Sequence, residues 1–151
     1  MIELVKLFEG QKGGAFVGSF EKLSGRRILL CEDHPINAMI VEGLLEKQGM
    51  TVDTAENGQQ GAEMFAKSAQ GLYSAVLMDI NMPVMNGLEA AEAIRALDRC
   101  DAKTVPIIAM TADNGEEEAQ KALAAVMNGF AVKPVDPQKL FELLAQLFEV
   151  Q

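Results

Sequence analysis

The chain has 151 residues, 49% of them hydrophobic and 23% charged, which fits one ordinary globular domain and excludes a disordered chain. A formal net charge of −9 argues against a nucleic-acid groove and against an anionic membrane surface as partner. No apolar run reaches the roughly 18 residues of a membrane span, the start "MIELVKLFEG" lacks a secretory signal, and two cysteines without CxxC spacing point to a reducing cytoplasm and no zinc site.

Residues 1–25 come first, punctuated by glycines at positions 10, 13, 14, 18 and 25, too often for a long helix or strand. They read as an N-terminal extension or linker. Within them "LVKLFEG" could form one or two helical turns and "GGAFVGSF" a short extended piece. From Arg26 the chain alternates between two periods. "RILLC" is a short apolar strand ending in Cys31, a core cysteine. "PINAMIVEGLLEKQG" is helical, with Asn37, Val41, Leu44 and Leu45 on its core stripe, Pro35 in a first turn and Gly49 at the stop. "TVDTA" is a strand and "GQQGAEMFAKSA" a helix. "AVLMD" is a strand and "GLEAAEAIRALD" a helix. "VPIIAMT" is a strand and "GEEEAQKALAAVM" a helix. "GFAVK" is a strand and "DPQKLFELLAQLFEV" a helix.

Five strands thus alternate with five helices. Near-continuous Val/Ile/Leu runs belong to strands buried on both faces, as in a parallel sheet. Right-handed crossovers then favour an α/β, flavodoxin-like (βα)5 doubly wound sandwich with strand order 2-1-3-4-5.

That topology places ligands beyond the carboxyl ends of the strands. Strand one ends beside Glu32 and Asp33, strand three in Asp79, strand four in Thr111 and strand five in Lys133. Singly these are ordinary turn, cap and solvated-end residues. Together, three clustered acids repel one another and stay ionised only beside a cation. Oxygen ligands of this kind suit Mg²⁺.

The segments "ILLCEDHPIN", "VLMDINMPVMNG", "PIIAMTA" and "FAVKP", in this order and on these strand ends, resemble the receiver domain of two-component signalling. The likeness covers about Arg26 to Val150, leaving a domain over 26–151. The runs "LSGRRILLCEDHPINAMIVEGLLEKQG" and "MNGFAVKPVDPQKL" most resemble receivers of hybrid sensor histidine kinases. The resemblance implies that Asp79 accepts a phosphoryl group from a phosphohistidine on a histidine kinase or histidine phosphotransfer domain. It implies that the domain assists its own phosphorylation and dephosphorylation. Asp33 and Asp79 would ligate Mg²⁺ through side chains, Asn81 through its backbone carbonyl and Glu32 through a water. Lys133 would pair with Asp79 and then with the phosphate. Thr111 and Phe130 would form the switch, and the Lys133–Pro134 bond would be cis. Val126 stands where many receivers have glycine, and Asn86 where Asp is commoner; Asn86-Gly87 reads as a tight turn. His34 is a surface residue beside the site, and the nine methionines are core fillers. Ile36 and Met39 fall off the core stripe of the first helix beside the acids and would dock the partner.

Three other readings compete. An FMN-binding flavodoxin needs a phosphate loop after strand one, where Glu32 and Asp33 would repel phosphate. A phosphatase that forms an aspartyl phosphate typically carries a second acid where this chain has Asn81. A pseudo-receiver would bind partners without chemistry, yet every acid, Thr and Lys position holds a competent group.

Overall fold

The computed structural model describes residues 22–111, 124 and 126–149. Five parallel strands form one sheet in the order β2-β1-β3-β4-β5. They are β1 (Arg27–Cys31), β2 (Thr51–Ala55), β3 (Ala75–Asp79), β4 (Ile107–Thr111) and β5 (Gly129–Val132). Their helices are α1 (Pro35–Lys47), α2 (Gly58–Lys67), α3 (Gly87–Arg95), a short α4 (Cys100–Thr104) and α5 (Pro137–Glu149). The helix expected over 115–127 lies almost wholly outside the described residues, as do residues 1–21. No helix among the described residues is long and apolar enough to cross a membrane.

The central strands β1, β3 and β4 are buried on both faces, with successive side chains pointing to opposite sides, whereas the edge strands β2 and β5 are largely half-buried. Ile28, Leu30, Ala75, Leu77, Ile108 and Met110 pack with α1 and α5 in one cluster. Leu29, Cys31, Val76, Met78, Ile107 and Ala109 pack with α2 and α3 in the other. Burial pushes the Cys31 thiol up to about 12, so it stays a protonated core residue.

Several expectations shift locally. The stripe of α1 is Ala38, Val41 and Leu45, with Leu44 half-buried and Asn37 exposed. The helix begins after His34 with Pro35 in its first turn, and that phase turns the smaller Ala38 toward the sheet. Strand β4 starts at Ile107, not Val105, and Pro106 before it has no N–H to donate. The fifth strand stops at Val132, so Lys133 belongs to the loop beyond it. Helix α3 ends at Arg95, short of the expected Asp98, and α4 follows as an element that its five residues gave no periodicity to reveal. Asn86-Gly87 is a helix start, not a free turn. Asn86 Oδ1 accepts from Glu89 N at 2.9 Å and Glu89 Oε1 accepts from Asn86 N at 3.1 Å, a capping box. Leu23 is fully buried in the α1/α5 cluster, so core packing begins inside the stretch assigned to the extension.

Candidate metal and phosphoryl site

At the carboxyl end of the sheet three acids meet one ammonium. Asp79 closes β3, whose five residues are all buried, and is 3% exposed. Glu32 follows β1 directly and is 2% exposed. Asp33, next in the chain, is half-buried. One carboxylate oxygen from each of the three lies within 4.8 Å of the others. Lys133 Nζ stands 3.1 Å from Asp79 Oδ2 and 3.1 Å from Glu32 Oε1. The other Asp79 oxygen, Oδ1, accepts from Asn81 N at 3.2 Å.

Two backbone features set this geometry. Lys133 N donates to Thr111 O at 2.7 Å, and the following Lys133–Pro134 bond is cis. Gly87 N donates to Ile80 O at 2.9 Å; a Cβ on Gly87 would collide with the Asp79 carbonyl oxygen, so only glycine lets α3 start this close to the strand end.

The charges do not balance. Burial and the neighbouring Glu32 carboxylate raise Asp79 from an ordinary 3.8 to about 6, against the opposing pull of Lys133. Burial alone would lower Lys133, but its bonds to Glu32 and Asp79 raise it. Asp33 Oδ1 is buried without a hydrogen-bond partner. A buried acceptor with no donor costs about 1–3 kcal/mol, and a hard divalent cation would satisfy it. The donor set of carboxylate oxygens therefore fits Mg²⁺.

The remaining sequence-derived positions fall as follows. Thr111 ends β4, half-buried, in register with Val132. Phe130 lies on β5 opposite Ala109, half-buried against the α2/α3 cluster. Asn81 is exposed beside Asp79. His34 is exposed at the N-cap position of α1 without a side-chain capping bond, its Nε2 3.9 Å from Asp33 Oδ2. Ile36 and Met39 are 72% and 68% exposed. Sequence reasoning missed Ile40, 57% exposed on the same helix. With Asn37, Val41, Met110, Pro134 and Val135 it lines a cleft of about 380 Å³ that opens onto Glu32 and Lys133. The i, i+3, i+4 spacing of Ile36, Met39 and Ile40 was a readable signal of one apolar face. Val84 was also missed; its backbone lies at φ 69°, in the left-handed region.

Comparison with known proteins yields concordant matches. The family model described as the response regulator receiver domain matches residues 28–145. Hybrid signal transduction histidine kinase I of Dictyostelium discoideum is 31% identical over 137 residues, 89% of this chain and 8% of that protein. Hybrid signal transduction histidine kinase B of the same organism is 36% identical over 132 residues, 82% of this chain and 6% of that protein. The chain thus spans less than a tenth of these two relatives. Among solved structures, the receiver domain of a sensor histidine kinase from Pseudomonas aeruginosa, with a magnesium ion coordinated in its active site cleft, superposes with a TM-score of 0.74. It is 32% identical, over 83% of this chain and 99% of that one. The chemotaxis protein CheY4 of Vibrio cholerae gives a TM-score of 0.72 at 28% identity, over 81% of this chain and 98% of that one.

Proposed function

This chain belongs to the response regulator receiver domain family, and from that premise we propose that it is the phospho-acceptor of a cytoplasmic two-component phosphorelay, with Asp79 as the nucleophile. A phosphohistidine on a histidine kinase or histidine phosphotransfer domain supplies the phosphoryl group. The N–P bond breaks and its electron pair stays on the imidazole nitrogen. A P–O bond forms to an Asp79 carboxylate oxygen, giving an aspartyl phosphate. Water later hydrolyses the acyl phosphate and restores the carboxylate.

The observation that carries this reading is the Lys133 ammonium bridging Asp79 and Glu32. It offsets the like-charge neighbour that holds the Asp79 proton on and so favours the ionised nucleophile. After transfer the same mobile cation can follow the new negative charge to the phosphate. Asp33 and Asp79 side chains, the Asn81 carbonyl and a water on Glu32 would hold Mg²⁺. When bound, that ion would neutralise phosphoryl oxygens, which is most of what this chemistry asks of a protein. The Thr111 hydroxyl would then hydrogen-bond a phosphate oxygen, and Phe130 would fill the space left behind, carrying a local charge event to the surface.

Ile36 and Met39, joined by Ile40 beside the cleft, dock the donor. An apolar face of this exposure next to a reaction site suits a helix of a histidine-bearing bundle. The net charge of −9 favours a donor with a basic rim.

The test uses two donors. Acetyl phosphate with Mg²⁺ should add one acyl phosphate, and borohydride reduction should map it to Asp79; mapping to Asp33 or Glu32 would refute the assignment. Ile36→Asp or Met39→Asp should slow transfer from a phosphohistidine domain by about tenfold, on the order of 1.4 kcal/mol, and leave acetyl phosphate transfer unchanged. Equal slowing with both donors would show damage to the site and remove the docking claim.

A further inference from the structure

The loop between β3 and α3, residues 80–86, carries Asn81 past the acids and is pinned twice. Gly87 N donates to Ile80 O at 2.9 Å and closes its base. Met85 O accepts from Gly58 N, the first residue of α2, at 3.1 Å. Between these bonds the loop is stiff. Pro83 fixes its own φ. Met85 N donates back to Pro83 O at 2.7 Å, closing a three-residue turn centred on Val84 at φ 69°, a tight and rare conformation. Met82 and Met85 both pack in the α2/α3 cluster. A displacement at Met85 is therefore passed along to Asn81 and not absorbed on the way.

Gly58 governs whether such a displacement occurs. It is buried at the start of α2. A Cβ there would collide with Met85 O and stand 2.9 Å from Met85 C and 3.0 Å from Asn86 O. All three atoms are backbone, so no side chain can swing aside, and the loop would have to retreat by about 1 Å to recover van der Waals separation. A functional constellation tolerates only about 0.5 Å, so the retreat is large enough to matter. The same turn of α2 is fixed from the other side. Glu32 N donates to Ala55 O at the end of β2 at 3.0 Å. A Cβ on Gly61, one turn along α2, would collide with Cys31 Sγ. Helix α2 thus rests both on the residue that precedes Glu32 and Asp33 and on the loop that carries Asn81.

We infer that Gly58 is a positioning residue for the metal site: by leaving room for Met85 O it sets where the loop presents the Asn81 carbonyl relative to Asp33 and Asp79. The inference rests on the proposed Mg²⁺ ligands and adds α2, which touches no reacting atom, to what holds them. Such coupling is reciprocal, so bound Mg²⁺ in turn tightens the contact between Gly58 and Met85.

Mg²⁺ titration of the full chain, read from the amide resonances of Asp33 and Asn81, tests this. Gly58→Ala should raise the Mg²⁺ Kd by about tenfold, as loss of a ligand's supporting contact does. Phe65→Leu, which thins the core at the other end of α2, should lower stability and keep the parental Kd. An unchanged Kd in a folded Gly58→Ala protein, or the same rise in Phe65→Leu, would overturn the inference and leave the metal reading standing. A parent chain that binds no Mg²⁺ would overturn both. If Gly58→Ala does not fold, amide exchange in the parent decides. Saturating Mg²⁺ should slow exchange at Gly58 about fivefold more than at Gly61, whose N–H donates to Asn57 O at 3.1 Å. Equal slowing at the two amides would contradict the proposal.

Discussion

The two ends of the sheet handle charge in opposite ways. At the amino ends of the strands each described guanidinium meets matched acceptors. Arg95 donates to Val126 O at 3.0 Å, Ala102 O at 3.1 Å and Asn128 Oδ1 at 2.8 Å, tying α3, α4 and the entry to β5 together. Arg99 grips both Asp101 oxygens and the carbonyls of Phe65, Ala66 and Ser68 at the end of α2. Arg27 and the Tyr73 hydroxyl share Asp53, one on each oxygen. At the carboxyl ends three acids face one lysine, Asp33 Oδ1 has no partner, and Val84 sits in a strained backbone region. One end is built for stability. The other holds unsatisfied charge, which the proposed cation and phosphoryl group would take up, the local cost that functional sites carry.

The largest expected break in this contrast comes from Arg95→Ala. It removes this donor from Val126 O and Ala102 O, while Asn128 Oδ1 keeps Ile107 N at 2.9 Å, and should cost about 2 kcal/mol, read by denaturant melts. Phosphorylation of Asp79 at a permissive temperature should persist, because the Arg95 contacts lie at the far end. A variant as stable as the parent would show that water replaces the guanidinium and that this end is not a clamp.

The acid end should respond to metal and pH in the reverse sense. Asp79 is raised from 3.8 to about 6, so in the folded state it holds its proton more tightly than in the unfolded chain. The resulting stability is fully present below about pH 4 and is lost as pH rises through about 6. Mg²⁺ competes with that proton. Its stabilisation, about 1.4 kcal/mol at a tenfold excess over Kd, should therefore be small at pH 5 and complete by pH 7.5. Thermal melts with and without Mg²⁺ across this range would show it; a magnesium effect that is absent or falls with pH would contradict the carboxylate site.

How much of this was legible in the sequence depends on the range of the signal. The strands were readable because each apolar run ends at a chemically distinct residue, and the topology brings those ends together. Asn37 was misplaced by one position on α1, because Asn and Ala both fit a helix and only the packing phase separates them. Helix α4 was invisible, since Cys100–Thr104 is shorter than two helical turns and buries just Ala102. The bond from Lys133 N to Thr111 O joins residues 22 apart in the chain and follows from strand register, which no local pattern encodes. Glu142 is buried on α5, where helical periodicity alone would have placed it in solvent.

The smallest expected effect is at Val84. A β-branched residue at φ 69° is strained by roughly 1 kcal/mol, and Asn tolerates that region better. Val84→Asn should stabilise the protein by about 0.5 kcal/mol without altering the yield of phosphorylation. Destabilisation would mean that the exposed valine makes contacts worth more than its strain.

The central claim is that Asp79 is the acceptor and that the acids around it serve it. Asp79→Asn is the most direct measurement, because an amide keeps the shape of the side chain and cannot form an acyl phosphate. Intact mass after exposure to acetyl phosphate and Mg²⁺ should show one added phosphoryl group on the parent and none on the variant. The metal-free variant should also melt no lower than the parent at pH 7.5, since the substitution removes a carboxylate that burial and Glu32 disfavour. An undiminished phosphoryl group on a folded Asp79→Asn protein would place the acceptor elsewhere and contradict the account.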